Sequence, residues 1–236
     1  LDKFKSDSRI ISFVENDDVL IAEGEMVIPE DNELEEVYQA LVIGAKDYIE
    51  KNKFPGVIIG SSGGIDSALT AVIAADAIGP DKVRTYMMPF KFTSDMSVED
   101  AQKLAENLGL QHSVIPIGDI YDSFNKGLEK EFKGKEKDIT EENLQSRCRG
   151  VILMALSNKS GDLVLTTGNK SETAVGYSTL YGDMCGVFEP IKDFWKTYVF
   201  KLCEWRNKKF SDLFKGPKGK VIPNNIIKKA PTAELR

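Results

Sequence analysis

Side chains that usually do acid–base or nucleophilic work are scarce in this sequence. It holds one histidine, three cysteines and two tryptophans in 236 residues. Cys148, Cys185 and Cys203 are odd in number and far apart. That argues against a disulfide framework and against zinc-ligand spacing, and points to reduced thiols in a cytoplasmic protein. His112 lies in an apolar run and is expected to be structural. No apolar run approaches the ~20 residues of a membrane-spanning helix, so no membrane span is expected. Positive charge is not in excess either. Lysine and arginine total 31 against 37 acidic residues, a net charge of −6, which gives no reason to expect a nucleic acid or an anionic membrane as partner. The local lysines Lys208, Lys209, Lys215, Lys218 and Lys220 are expected to lie on a solvated surface. The start shows no signal peptide, and a chain opening at Leu1 is expected to be cut from something longer. Apolar residues make up 42% and charged residues 29%, ordinary values that suit one sizeable α/β domain.

One stretch organises the rest. An apolar run at 57–59 predicts a buried strand, and residues 68–75 predict a helix packed on a sheet. Between them lies Gly60-Ser61-Ser62-Gly63-Gly64-Ile65-Asp66-Ser67. A glycine-rich turn from strand to helix is suited to phosphate, because the helix start offers free N–H groups and partial positive charge. Gly63 and Gly64 let the backbone bend and let ligand oxygens approach, while Ser62 and Ser67 add hydroxyls. Asp66 repels phosphate, so its presence makes sense if it holds a cation, most simply Mg2+. The loop is not a Walker A loop, since no lysine lies between Gly60 and Ser67. Its glycines do not fit the dinucleotide fingerprint either. It resembles the pyrophosphatase loop of the N-type ATP pyrophosphatases. That likeness implies a grip on the β- and γ-phosphates of ATP, with the α-phosphorus left open to attack.

Along the chain, residues 9–14 and 19–21 predict two short strands around a turn at 16–18. A helix is expected from Asn32, with Glu35 completing a capping box, and it ends before Phe54. Further strands are expected at 83–88, 113–117 and 163–166. Helices are expected after Ser97 as cap, over 119–132, over 141–159 with Thr140 as cap, and from Asp193 to about 208. The stretch 188–191 suggests a short edge strand, 216–219 a mobile loop, and 222–228 a short helix. Alternating strands and helices over 56–170 imply a doubly wound parallel sheet with helices on both faces. Ligands then belong at the C-terminal ends of the strands, where the polar stretches 90–95 and 167–172 lie. On the helix after Thr140, Asn143 and Arg147 share a face, with Arg149 turned away from them. Surface salt bridging is the plain alternative for these arginines.

Four later motifs narrow the resemblance. They are residues 140–149, the turn Thr167-Gly168-Asn169-Lys170-Ser171-Glu172, residues 175–183 and the final Pro231-Thr232-Ala233-Glu234-Leu235-Arg236. With the loop, and in this order, they resemble NAD+ synthetases, most closely the synthetase domain of the glutamine-dependent type. The resemblance runs from about Glu33 to the end. It implies an adenine nucleotide alpha hydrolase-like fold over 31–236. Residues 1–30 would be the tail of a glutaminase domain or a linker. The implied reaction is ATP-dependent amidation of deamido-NAD+ to NAD+ through an adenylated intermediate, releasing AMP and pyrophosphate. Ammonia would come from a glutaminase domain of the full-length protein. This stretch alone would need free ammonia, and a homodimer or higher homo-oligomer is implied.

By position in the family pattern, the resemblance implies that Asp66 and Glu172 hold Mg2+ and that Asp66 and Lys196 are catalytic. Residues 60–67, Thr167, Lys196 and Thr232 would bind ATP. Asn143, Arg147 and Glu172 would bind deamido-NAD+. Taken singly, Asp66 and Thr232 read equally well as caps, and Glu172 and Lys196 as solvated charges. Leu180 stands where the small ammonia-dependent members carry lysine, which favours the glutamine-dependent branch. Two rivals remain at this stage: another pyrophosphatase-loop enzyme such as GMP synthetase, and a nucleotide-binding module without catalysis.

Overall fold

The structure is a computed structural model that describes residues 4, 11–17, 19–23, 32–232 and 234–235. Near the start, β1 (Ser12–Asn16) and β2 (Val19–Glu23) pair antiparallel, and every residue of both strands is exposed. The expected strand at 9–14 thus begins outside the described residues.

The main sheet has four parallel strands in the order β5 (Gln111–Val114), β4 (Val83–Met87), β3 (Val57–Ser61), β6 (Leu163–Leu165). Register pairs Val57 with Val83 on one side and with Leu163 on the other. Side chains alternate across a strand, so β3 feeds two cores. Val57 and Ile59 join the core built with α1 (Glu33–Lys51), α2 (Ile65–Ile78), α3 (Asp95–Leu108) and α7 (Lys196–Lys208). Ile58 joins a second core with Tyr121 of α4 (Gly118–Phe132) and Cys148 and Leu153 of α5 (Ile139–Ser160). Helices therefore cover both faces, as the alternating pattern implies. The α2 helix is apolar nearly all round because it is buried nearly all round. On α1 the stripe Tyr38, Val42, Ala45 and Ile49 packs into the chain's own core. Among the described residues, no helix is long and apolar enough to cross a membrane.

Several local expectations need correction. The strand expected at 113–117 is β5 at Gln111–Val114. Pro116 cannot donate to a ladder, yet Ile115 N–H still reaches Met87 O (2.8 Å) and Ile117 N–H reaches Pro89 O (3.1 Å). The expected edge strand at 188–191 amounts to one bridge, Leu165 to Phe188. The cap of α3 is Ser94, whose Oγ accepts the Ser97 N–H at 3.2 Å; Ser97 itself lies inside the helix. Asp138 caps α5, with Glu141 closing a reciprocal capping box, so Thr140 is already helical. The last long helix starts at Lys196 and not beside Asp193, and the Lys196 N–H is taken by Ser171 Oγ at 2.9 Å. The stretch 216–219, expected as a loop, is tied to α7. Arg206, buried on α7, donates to Pro217 O at 2.8 Å and grips buried Asp76 through Nε (2.6 Å) and Nη2 (2.9 Å). Tyr38 Oη adds a bond to Asp76 at 2.7 Å, which ties α1, α2 and α7 together.

Candidate active site

A cavity of about 650 Å³ opens where β3, β4 and β6 end. That is the C-terminal edge of the parallel sheet, the expected place for a ligand. Its floor is the loop 60–67. Ser67 Oγ accepts the Ser62 N–H (3.2 Å) and donates to Gly64 O (3.0 Å), while Ser62 Oγ accepts the Gly64 N–H (3.2 Å). These bonds fold the turn so that the first N–H groups of α2 face the cavity without intrahelical partners. Gly63 has φ +71°, a left-handed conformation. A Cβ there would run into Ser97, whose Cα and carbonyl carbon would lie only 2.8 Å away. Only glycine fits between this loop and the start of α3.

Four polar side chains meet beside the loop. Asp66, in the first turn of α2, accepts from Asn169 Nδ2 at 2.9 Å and is ion-paired with Lys196 Nζ. Lys196 Nζ is also 3.8 Å from Glu172 Oε1. Asn169 is fully buried and caps the short helix α6 (Lys170–Ala174). Its Oδ1 accepts the Glu172 N–H at 3.1 Å, and Glu172 Oε2 accepts the Asn169 N–H at 3.3 Å. One asparagine therefore orients both carboxylates. Burial, and then the nearby charge of Asp66, push the Glu172 carboxyl above its usual range; Lys196 pulls the other way. Behind this group, burial and then the Asp66 charge hold the Cys203 thiol far up, so it is no nucleophile.

The opposite rim is closed by the end of the chain. Past α8 (Asn224–Lys228), residues 229–232, 234 and 235 line the cavity. Glu234 accepts from Ser94 Oγ (2.8 Å), Ser94 N–H (3.2 Å) and Ser97 Oγ (2.7 Å), and stands 3.8 Å from Lys229 Nζ. Gln145 Nε2 donates to Leu235 O at 3.1 Å. Burial pushes the Glu234 carboxyl up, but the hydrogen bonds from Ser97 and Ser94 outweigh it and leave the carboxyl below its usual range. Thr232 belongs to this strap and lines the same cavity as the loop.

The family model described as NAD synthase matches residues 37–236. The chain belongs to the NAD synthase family. It is 54% identical over 202 residues to the glutamine-dependent NAD(+) synthetase of Thermotoga maritima, an overlap of 86% of this chain and 34% of the relative. A solved glutamine-dependent NAD+ synthetase from Acinetobacter baumannii, in complex with ADP, shares 48% identity at a TM-score of 0.83, over 91% of this chain and 39% of that one. NMN synthetase from Francisella tularensis shares 29% identity at a TM-score of 0.75, over 87% and 78%. The chain thus spans about a third of the length of the curated relatives it matches. The fold is the adenine nucleotide alpha hydrolase-like fold of the NAD synthases.

The loop 60–67, Thr167, Glu172, Lys196 and Thr232 all line one cavity. Asn143 and Arg147 do not. Asn143 Oδ1 accepts from Thr179 Oγ1 at 2.9 Å, and Arg147 Nε donates to Leu180 O at 3.2 Å. Both brace the segment 175–183 from outside the cavity. The helix α5 turns Ser146, Arg149 and Leu153 toward the cavity instead. Surface salt bridging explains neither arginine: Arg149 Nε donates to Met88 O at 2.9 Å, and among the described residues no carboxylate lies within 4 Å of it. Sequence reasoning passed over Asn169, Arg149 and Glu234 as site residues. The Asn169–Glu172 spacing of a capping box was a usable signal for the first. His112, expected to be structural, bonds Thr85 Oγ1 through Nδ1 at 2.8 Å on the edge strand, outside the cavity.

Proposed function

We propose that this chain is the ATP-using part of a glutamine-dependent NAD+ synthetase. It amidates deamido-NAD+ to NAD+, consuming ATP and ammonia and releasing AMP and pyrophosphate. The observation that carries this reading is the convergence of Asp66, Glu172 and Lys196 at the start of α2, beside a loop with free N–H groups. An ADP complex of a relative with the same fold supports the nucleotide as ligand.

The nucleotide base packs against the apolar side of the cavity, formed by Met87, Met88, Leu153 and Val164. The phosphates run over Ser62–Ser67 toward Lys196 and Thr232. Lys196 leaves the two carboxylates and binds the pyrophosphate that departs. The nicotinate carboxylate of deamido-NAD+ attacks the α-phosphorus, and the P–O bond to pyrophosphate breaks. Ammonia then attacks the acyl adenylate. Its carbonyl–oxygen bond to AMP breaks, the amide forms and a proton is lost. No protein nucleophile is needed, which agrees with raised thiols at Cys148, Cys185 and Cys203. The work left to the protein is positioning and charge.

Asp66 and Glu172 are the residues that would hold Mg2+, which supplies charge neutralisation on the phosphates. The donor set fits. Two carboxylates, Asp66 and Glu172, meet around Lys196 beside the phosphate loop. Mg2+ is usually held in this way, by one or two carboxylates with substrate phosphates completing the shell. The raised carboxyl of Glu172 also marks a place where added positive charge is favourable. Within the same proposal, ammonia comes from a glutaminase domain of the whole protein, Asn143 and Arg147 serve the deamido-NAD+ side, and the protein is a homodimer or higher homo-oligomer.

The test is NAD+ formation from ATP, Mg2+, ammonium and deamido-NAD+, beside parallel reactions with nicotinic acid mononucleotide and xanthosine monophosphate. Amidation of deamido-NAD+ that disappears in Asp66→Ala is expected. Amidation of either alternative in preference would overturn the substrate assignment.

A further inference from the structure

Among the described residues, three cationic side chains line the cavity: Arg149, Lys196 and Lys229. Two are already committed. Lys196 is paired with Asp66 and Glu172, and Lys229 with Glu234 and Ser97. Arg149 differs from both. Its one hydrogen bond is the 2.9 Å bond from Nε to the neutral Met88 O, and its Nη groups have no partner among the described residues. It is half-buried on α5, one turn from Ser146 and one from Leu153, and burial draws its guanidinium below the usual range. A charged group removed from water without a counter-charge is unfavourable. Such a group in a cavity points to an anion that completes it.

Its position says which anion. Met88 and Leu153 flank Gly60, since a Cβ built there would lie 3.4 Å from Met88 Cε and 3.3 Å from Leu153 Cδ1. Arg149 is bonded to that same Met88. It therefore stands at the apolar end of the cavity, near the start of the loop and on a different element from Asp66, Glu172 and Lys196. We propose that Arg149 is a catalytic residue that binds the phosphoryl group next to the base, the α-phosphoryl of ATP and later of the adenylate. This rests on the ATP-dependent reading above. Holding Nε on Met88 O leaves both Nη groups to form a fork toward two phosphoryl oxygens, a geometry lysine cannot copy. Negative charge at the attacked phosphorus is then met from this side by Arg149 and from the pyrophosphate side by Lys196.

The experiment is calorimetric binding of adenosine, AMP and inorganic pyrophosphate to the protein and to Arg149→Gln and Arg149→Lys, each checked for an unchanged fold by circular dichroism. Arg149→Gln is expected to weaken AMP about tenfold to hundredfold, the range of a charge-assisted hydrogen bond. Adenosine and pyrophosphate should bind as before, and Arg149→Lys should recover only part of the loss. Equal weakening of adenosine and AMP would make Arg149 a scaffold residue and overturn the proposal. So would AMP binding unchanged in Arg149→Gln, or a loss confined to pyrophosphate. If the unaltered protein bound none of the adenine ligands, the ATP-dependent reading itself would fall, and this assignment with it.

Discussion

Replacing Gly63 by alanine tests the geometry of the phosphate loop quantitatively. Two costs add. At φ +71° an L-residue loses about 1–2 kcal/mol relative to glycine. The new methyl also presses on the Ser97 backbone, whose Cα and carbonyl carbon would be 2.8 Å away. Backbone cannot swing aside as a side chain does, and overpacking of this kind costs about 1–3 kcal/mol. The sum is about 2–5 kcal/mol. Gly109 provides the control. It has φ +71° as well, as the C-cap of α3, but a Cβ there meets nothing within 4 Å. Gly109→Ala should therefore show the first cost alone. Urea unfolding of both variants gives the two numbers, and their difference isolates the clash. Pushing Ser97 away should also loosen the hold of Ser94 and Ser97 on Glu234, so ATP binding should weaken in Gly63→Ala and not in Gly109→Ala. Equal destabilisation of the two variants, with ATP affinity intact in both, would refute the close approach of loop and helix.

Other outcomes follow from the charged groups. The folded-state value of Glu172 is raised, so its charge costs stability as pH climbs through that value; in ligand-free protein, Glu172→Gln should melt above the unaltered protein at neutral pH, with the gap closing in acid. Thermal melts across pH read this, and a gap that widens toward acid would contradict it. Asp76→Ala leaves the Arg206 guanidinium buried and unpaired, a loss of about 3–5 kcal/mol in denaturant unfolding; a loss below about 1 kcal/mol would mean the ion pair does not brace the core. Glu234→Gln should raise the KM for ATP more than it lowers kcat, because it loosens the strap carrying Thr232 and leaves Asp66 and Lys196 in place. A change in kcat alone would remove the strap from the account.

The sheet and the loop were legible because their signals are local. An apolar run, a glycine turn and an apolar helix lie within residues 57–78, and strand–helix alternation repeats thereafter. Helix starts were less legible. Ser94 and Ser97 offer the same hydroxyl three residues apart, and both donate to Glu234, which lies 140 and 137 residues further on. At α7 the partner of the first free N–H is Ser171, 25 residues back, so nothing near Asp193 marks the start. Asp138 was hidden by its own loop, since five charges within 133–138 read as a solvated stretch and conceal a capping box. The anchor of 216–219 escaped for a similar reason. Arg206 and Asp76 are 130 residues apart, and buried ion pairs leave no pattern along the chain. Motif order brought Asp66, Glu172 and Lys196 forward together. The face of α5 that meets the cavity depends on packing against Met88, and only the three-dimensional structure distinguishes Arg149 from Arg147.

The central claim is that the nicotinate carboxylate attacks the α-phosphorus of ATP. Deamido-NAD+ labelled with 18O in that carboxylate tests it most directly, in a reaction with ATP, Mg2+ and ammonium followed by mass spectrometry of the nucleotide products. The account predicts AMP carrying one 18O atom in its phosphate, with unlabelled pyrophosphate. ADP with labelled inorganic phosphate, or AMP without label, would contradict it.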